Sequence, residues 1–190
     1  STVTDQLVSA NQAAAQGDFE SVDECLKVIR ALHHRTIDSL ATTELATEKK
    51  REIDELLGQA LRILRATAFL RELTPRAQDA VLSVGEKLSV RVLGIAFDAA
   101  GVPVEVIDAD TFLDTDERFG DANPLGGVGE RTIISRLKPN VEARKTSLVT
   151  GFCGRAPDGS TTTMGRGGSD LTATTIGAAM TAKHVTLWSD

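Results

Sequence analysis

The segment Gly151-Phe-Cys-Gly-Arg-Ala-Pro-Asp-Gly-Ser-Thr-Thr-Thr-Met-Gly-Arg-Gly-Gly-Ser-Asp170 indicates the fold class, because it joins apolar segments of different periodicity. Residues 147–152 have the short apolar pattern of a buried strand. Residues 170–183 have a helical pattern, and residues 185–188 again resemble a strand. A strand, loop, helix and strand in this order are typical of a parallel sheet that is covered on both faces. We therefore predict an α/β protein.

The second half of this loop has the residue types of an anion-binding turn. Gly165, Gly167 and Gly168 allow positive φ and a close approach of the backbone to a ligand. Ser169 is predicted to cap the following helix, whose free N–H groups can bind an anion. The guanidinium of Arg166 can bind a carboxylate in bidentate fashion. The pattern is neither the Rossmann nor the P-loop motif, and such a turn is often only a helix cap, so these residues alone leave the ligand open.

Three helical patterns precede this region, and they cover residues 21–40, residues 47–70 and a segment that begins at Pro75. Ser21 and Glu24 have the spacing of a capping box for the first of these helices. Thr74 is predicted to be the N-cap of the third, with Pro75 at its first position.

The segment between these helices and the glycine-rich loop is less regular. Residues 102–107 are predicted to form a short strand, and residues 118–129 form a loop rich in glycine. A weaker helical pattern follows around residues 133–141, and Pro139 is expected to end or kink it.

Composition excludes several function classes. The 190 residues are 41% hydrophobic and 25% charged, which fits one globular domain with a core. The net charge of −6 and the lack of a Lys/Arg run argue against nucleic-acid binding. No apolar run approaches the roughly 18 residues of a membrane span. Cys25 and Cys153 are far apart, so we predict a reducing, cytoplasmic location without a disulfide or zinc site. His33 and His34 are predicted to be surface or boundary residues.

A longer string within the loop resembles a known family. Thr161-Thr-Thr-Met-Gly-Arg-Gly-Gly-Ser-Asp-Leu-Thr-Ala173, preceded by Val149-Thr-Gly-Phe152, closely resembles the strand–loop–helix signature of aspartate kinases in the amino-acid kinase superfamily. Four shorter segments resemble family segments in order and spacing: Thr2-Val-Thr-Asp-Gln-Leu7, Ser83-Val-Gly-Glu-Lys-Leu88, Thr115-Asp-Glu-Arg-Phe-Gly120 and Leu187-Trp-Ser-Asp190. The resemblance implies a three-layer α/β/α sandwich with a mainly parallel sheet, incomplete at both ends, in which residues 1–190 are part of one catalytic domain.

The resemblance also implies how the substrate, aspartate, would be held. Arg166 would bind its α-carboxylate, because a guanidinium matches a carboxylate better than an ammonium does. Glu86 would bind its α-ammonium group, whereas helical periodicity alone would make Glu86 an exposed carboxylate. Thr4 and Ser169 would supply hydroxyl hydrogen bonds, and Gly167 belongs to the same substrate loop.

The implied catalytic residue is Asp170, which would orient catalytic lysines and help to place the metal-bound triphosphate of ATP with Mg²⁺. Taken alone, Asp170 could be only a first-turn acid that the helix dipole favours. Ser189 and Asp190 would lie on the nucleotide side of the site, and no residue is assigned as a metal ligand. We expect Arg166, Glu86 and Asp170 to converge on one cleft at the end of the sheet.

The activity implied for the full-length parent is phosphorylation of L-aspartate to 4-phospho-L-aspartate, the first step of lysine, threonine and methionine biosynthesis, by a homo-oligomer. The family's Lys-Phe-Gly-Gly-Thr-Ser segment and a second lysine are not among the 190 residues. The piece alone is therefore expected to be inactive or nearly so. Two alternatives stay open: another kinase of the same fold, such as a glutamate, carbamate or uridylate kinase, or a non-catalytic binding or assembly fragment.

Overall fold

The structure is a computed structural model that describes residues 2–188, and the chain divides into two compact units at the bond between Val102 and Pro103. Residues up to Val102 are called unit 1, and residues from Pro103 are called unit 2. None of the helices in the described part combines the length and the hydropathy that a bilayer span requires. The assignment of the whole chain to one catalytic domain stays a prediction.

Unit 1 is helical. Its described residues form α1 (Thr2–Gln16), α2 (Phe19–Leu40), α3 (Thr43–Leu70) and α4 (Pro75–Ala99). Apolar residues at helical spacing bury one stripe of each helix. The largest fully buried side chains of this core are Leu7, Val22, Ile29, Ile37, Ile53, Leu57, Leu64, Leu88 and Ile95. The sequence predicted α2, α3 and α4 but not α1.

The caps of α2 and α4 show which local signals were correct. Thr74 caps α4 as predicted, and its Oγ1 accepts a hydrogen bond of 3.1 Å from the Ala77 N–H. The prediction that Ser21 and Glu24 form a capping box is wrong, because α2 begins at Phe19. Asp18 is the N-cap and accepts hydrogen bonds from both the N–H and the hydroxyl of Ser21, at 3.0 and 2.6 Å. These hydrogen bonds hold the pKa of Asp18 below its ordinary value, and the hydrogen bond from the hydroxyl has the largest effect.

Unit 2 combines helices with short strands. Its elements are β1 (Val104–Ile107), a 3₁₀ turn (Ala109–Thr111), α5 (Val128–Glu142), β2 (Thr146–Val149), β3 (Cys153–Arg155), β4 (Thr161–Thr163) and α6 (Gly168–Ala179). The strands β1 and β2 are parallel, with Val104 opposite Thr146, and β3 and β4 are antiparallel, with Cys153 opposite Thr163. The α/β class and a small parallel sheet are thus confirmed.

Several boundaries in unit 2 differ from the prediction. The strand predicted at residues 185–188 is wrong, because Val185 instead lies against Gly177 of α6. The helix α5 does not end at Pro139 but continues to Glu142. Residues 154–168, predicted to be a loop, contain most of the β3–β4 hairpin, and the helix after them is Gly168–Ala179 rather than residues 170–183.

Candidate functional site

The first turn of α6 lies directly against the end of β2. Thr150, which follows β2, is fully buried and its Oγ1 accepts a hydrogen bond of 2.7 Å from the Ala109 N–H. A Cβ atom on the next residue, Gly151, would lie 2.8 Å from Oγ of Ser169 and 3.1 Å from its Cα. Position 151 therefore has no room for a side chain, and this close approach fixes α6 at the carboxyl end of a parallel strand, where α/β proteins bind ligands.

Phe152 has a left-handed backbone with φ of 67°. Its N–H donates to Oγ1 of Thr172 at 3.1 Å, and its carbonyl oxygen accepts from the Met164 N–H at 2.9 Å. A bulky residue holds this conformation only where its surroundings enforce it, and such positions are concentrated at functional sites. Sequence reasoning missed Phe152, since no local pattern indicates positive φ at an aromatic residue.

The N-cap of α6 is Gly167, with φ of 75° and no side-chain cap hydrogen bond. The prediction that Ser169 caps α6 is wrong, because the helix already begins at Gly168 and Ser169 is its second residue. Gly165 also has positive φ, 66°, as its role in the turn requires. The first turn of α6 thus has no side-chain cap, which suits it for an anion.

Arg166 stands immediately before this turn and is exposed. Its guanidinium has no hydrogen bond or ion pair to any of residues 2–188, and the same holds for the exposed carboxylate of Asp170. The carbonyl oxygen of Gly120, the last residue of the Thr115–Gly120 segment, lies 3.1 Å from where a Cβ on Gly165 would be. Unit 2 therefore brings the unpaired guanidinium of Arg166, the uncapped start of α6 and this segment into one region.

Unit 1 contains a cavity of about 460 Å³ between α1, α2 and α4, which is called the unit 1 cavity below. Thr4 and Glu86, two of the predicted substrate residues, both line it. Glu86 is half-buried, so its alternative interpretation as an exposed carboxylate is wrong. Burial disfavours the charged form and raises the pKa of Glu86. His33 also lines the cavity and is buried, with 7% of its surface exposed, whereas the sequence predicted a surface or boundary residue.

The comparisons with known proteins agree with this geometry. The sequence model of the amino acid kinase family matches residues 3–190. The chain belongs to the amino acid kinase family. The structure of Escherichia coli aspartokinase III in complex with aspartate and ADP superposes with a TM-score of 0.88 at 28% identity, over 99% of this chain and 40% of that one. The predicted amino-acid kinase fold is thereby confirmed.

Relatives of this amino-acid kinase chain carry aspartokinase names. It is 33% identical to aspartokinase 1, chloroplastic, of Arabidopsis thaliana, over 98% of this chain and 32% of the relative. It is 31% identical to an aspartokinase of Thermus thermophilus, over 92% of this chain and 40% of the relative. The chain thus spans between a third and two fifths of the length of the relatives it matches.

The predicted site residues of this family member fall into two groups. Thr4 and Glu86 belong to unit 1, and unit 2 contains Arg166, Gly167, Ser169 and Asp170. Their convergence on one cleft stays a prediction. Ser189 and Asp190, predicted on the nucleotide side, lie outside the described residues. Within residues 2–188 no cluster of three His, Cys, Asp or Glu side chains could hold a metal ion.

Proposed function

We propose that the protein to which this chain belongs is an aspartate kinase. It transfers the γ-phosphate of ATP to the side-chain carboxylate of L-aspartate and forms 4-phospho-L-aspartate and ADP. The observation that carries the proposal is the exposed guanidinium of Arg166, which has no partner among residues 2–188 and stands directly before the uncapped first turn of α6.

The loop before α6 suits the α-carboxylate of the substrate. The planar guanidinium of Arg166 can donate two parallel hydrogen bonds to a carboxylate. The positive end of the α6 dipole favours the same negative charge. Ser169 lies in this turn and can donate its hydroxyl, and the backbone of Gly167 has no side chain in the way of a ligand. The close approach of Ser169 to Gly151 keeps this turn at the end of β2.

The α-ammonium group of the substrate is assigned to unit 1. Glu86 presents a half-buried carboxylate that lacks an ion-pair partner in the described part of the chain. A desolvated carboxylate without a counter-charge is unfavourable, so an ammonium group beside it would recover free energy. Thr4 lines the same cavity and can accept a hydrogen bond from that ammonium group.

Asp170 is assigned a role in placing the triphosphate, since phosphoryl transfer depends on positioning and on neutralisation of charge. Mg²⁺ usually keeps several waters and binds through one or two carboxylates together with phosphates, so the single exposed carboxylate of Asp170 fits it without a dedicated cluster. When bound, Mg²⁺ would neutralise negative charge on the phosphates. ATP, Mg²⁺, a cytoplasmic location and homo-oligomeric assembly of the full-length protein are all part of this proposal.

The test measures ADP release by the full-length protein with aspartate or glutamate as the acceptor. We expect Arg166→Ala to raise the KM for aspartate about thirtyfold, because the hydrogen bonds of a charged group contribute about 2 kcal/mol. Arg131→Ala, an exposed arginine on α5, is the matched control and should change nothing. Asp170→Asn should lower kcat about a hundredfold. Equal turnover of glutamate, or an unchanged KM in Arg166→Ala, would refute the proposal.

The isolated 190-residue chain separates a catalytic from a non-catalytic interpretation. We expect no phosphoryl transfer from it, because the family's two lysines are not among its residues. Calorimetric titration with aspartate should still show weak binding that is lost in Arg166→Ala and kept in Arg131→Ala. Full activity of the isolated chain would show that the family's two lysines are not needed for phosphoryl transfer.

A further inference from the structure

The tip of the β3–β4 hairpin contains an Asp-Gly pair. Residues 156–160 connect β3 to β4 and include Asp158 and Gly159. The Gly159 N–H donates a hydrogen bond of 2.9 Å to the carbonyl oxygen of Ala156, which closes a turn with Pro157 and Asp158 at its centre. No other aspartate or asparagine among the 190 residues is followed by glycine. The chain thus has one place where a carboxyl or amide side chain directly precedes a glycine nitrogen.

The side chain of Asp158 folds back over the main chain that follows it. Its Oδ1 accepts a hydrogen bond of 2.9 Å from the Ser160 N–H, two residues further along the chain. An aspartate in such a turn keeps its carboxyl group beside the intervening peptide nitrogen, which here belongs to Gly159. The carboxyl carbon Cγ of Asp158 is therefore held close to a nitrogen that can attack it.

Gly159 leaves this attack sterically open. Its φ is 84°, it is exposed, and no atom lies within 4 Å of the place where a Cβ would be. The attack requires rotation of the peptide between the two residues, and glycine permits it because no side chain obstructs the nitrogen. Asp158 is exposed as well, so water can replace the hydrogen bonds of the turn when the hairpin tip opens locally.

We propose that Asp158 is a modification site, at which aspartate isomerises spontaneously to isoaspartate. The Gly159 nitrogen forms a bond to Cγ of Asp158, its proton passes to solvent, and a carboxyl oxygen leaves as water from the protonated acid. Water then opens the resulting succinimide ring at one of its carbonyl carbons. Cleavage of the new N–Cγ bond restores aspartate, and cleavage of the bond between the nitrogen and the main-chain carbonyl carbon gives isoaspartate. The water released in the first step equals the water consumed in the second, and no electrons are transferred.

Isomerisation changes the length of the main chain in the hairpin turn. Isoaspartate routes the chain through the side-chain carbonyl and so adds one methylene group between Pro157 and Gly159. The hydrogen bond of 2.9 Å from the Ala156 N–H to the Ser160 carbonyl oxygen spans this turn and depends on its length. The modified chain should therefore unfold at a lower temperature than the unmodified chain. The inference involves neither the unit 1 cavity nor Arg166, and it is independent of the proposed phosphoryl transfer.

The test is prolonged incubation of the folded 190-residue chain at neutral pH, followed by digestion and mass spectrometry with electron-transfer fragmentation, which distinguishes isoaspartate from aspartate. Asp116 is the control within the same molecule. Its Oδ1 accepts a hydrogen bond of 3.2 Å from the Arg118 N–H, also two residues ahead, but Glu117 rather than glycine follows it. We expect isoaspartate to form at least about tenfold faster at position 158 than at position 116. Equal rates, or no isoaspartate at position 158, would overturn the proposal.

Two variants test the chemistry at this pair. Gly159→Ala should slow the reaction at least about tenfold, because its methyl group obstructs the attacking nitrogen. Since alanine is strained at positive φ and could alter the turn, Asp158→Asn supplies a second arm. Asparagine keeps the Oδ1 acceptor and forms the same succinimide with loss of ammonia, a better leaving group than the water of a carboxylate at neutral pH, so isoaspartate should form at least about tenfold faster. Undiminished isoaspartate in Gly159→Ala, or no acceleration in Asp158→Asn, would overturn the inference. No kinase assay is involved, so failure of the proposed activity would leave this result intact.

Discussion

Gly154 of β3 lies in a crowded position of unit 2, and Gly154→Ala should destabilise the chain. A Cβ atom there would collide with Cγ2 of Thr115 and would lie 2.8 Å from the carbonyl oxygen of Leu113. That oxygen cannot turn away, because it accepts a hydrogen bond of 2.8 Å from the Arg155 N–H. Thr115 is also held, since it is fully buried and its Oγ1 lies 2.6 Å from Oγ1 of Thr162.

The magnitude follows from the nature of these neighbours. An extra methyl group in a packed core costs about 1–3 kcal/mol, and the rigid backbone neighbour places this change in the upper half of that range. For a chain of this size, about 2–4 °C of Tm corresponds to each kcal/mol, so a decrease of about 4–12 °C is expected. The matched control is Gly126→Ala, since no atom lies within 4 Å of a Cβ at that position. It should change the free energy of unfolding by less than about 0.5 kcal/mol.

Thermal and urea unfolding of the isolated chain measure the effect, and Thr115→Ser provides the second arm. This substitution removes Cγ2 but keeps the hydroxyl that bonds Thr162. Alone it should cost about 1 kcal/mol for the lost methyl group. Combined with Gly154→Ala, it should give a total loss smaller than the sum, because one of the two collisions is relieved. Strict additivity, or equal stability of Gly154→Ala and Gly126→Ala, would refute the reasoning.

Two further predictions concern unit 1. Thr74→Ala should lower the free energy of unfolding by about 1 kcal/mol, because the hydrogen bond from the Ala77 N–H is lost. Thr42→Ala should lower it less, because Thr42 is the N-cap of α3 without a side-chain hydrogen bond. Equal losses for the two variants in urea unfolding would contradict this prediction. Burial raises the folded-state pKa of Glu86 above 4.5, so the stability linked to its neutral form is lost as the pH rises through the folded pKa. Glu86→Gln should therefore raise Tm at about pH 8 and leave it nearly unchanged at about pH 4. The same Tm difference at both pH values would contradict a raised pKa of Glu86 in the folded state.

The elements predicted correctly are those whose signals are local. Thr74 and Pro75 mark the start of α4 with a side-chain acceptor and a fixed φ, and neither depends on distant residues. The order of β2, the glycine-rich loop and α6 followed from changes in periodicity over residues 147–183. Arg166 was identified in the same way, as a guanidinium next to a glycine-rich helix start.

The errors occur where distant contacts decide the structure. The strands β3 and β4 have only three residues each, and Thr162 of β4 makes a buried hydrogen bond with Thr115, 47 positions away. The apolar residues 185–188 satisfy a strand pattern, yet Val185 lies against Gly177. Helix α1 buries small or polar residues such as Ala10 and Asn11, which give a weak periodic signal.

The site was predictable in its residue types but not in its surroundings. No local pattern shows that Glu86 faces a cavity, because the cavity exists only where α1, α2 and α4 meet. The cap of α6 was assigned to Ser169 because serine is a favoured N-cap residue, whereas the structure uses the left-handed Gly167. The start of α6 thus follows the left-handed backbone of Gly167 and not the preference of serine for N-cap positions.

The left-handed backbone of Phe152 has a consequence for redesign of the loop. Glycine at this position would relieve roughly 1–2 kcal/mol of steric conflict between Cβ and the carbonyl oxygen. It would also delete an aromatic ring whose Cδ2 lies 3.0 Å from where a Cβ on Gly168 would be. A variant selected for heat resistance alone would thus leave the first turn of α6 without its aromatic neighbour. A substitution of Phe152 that raises Tm would therefore also change the shape of the surface beside α6.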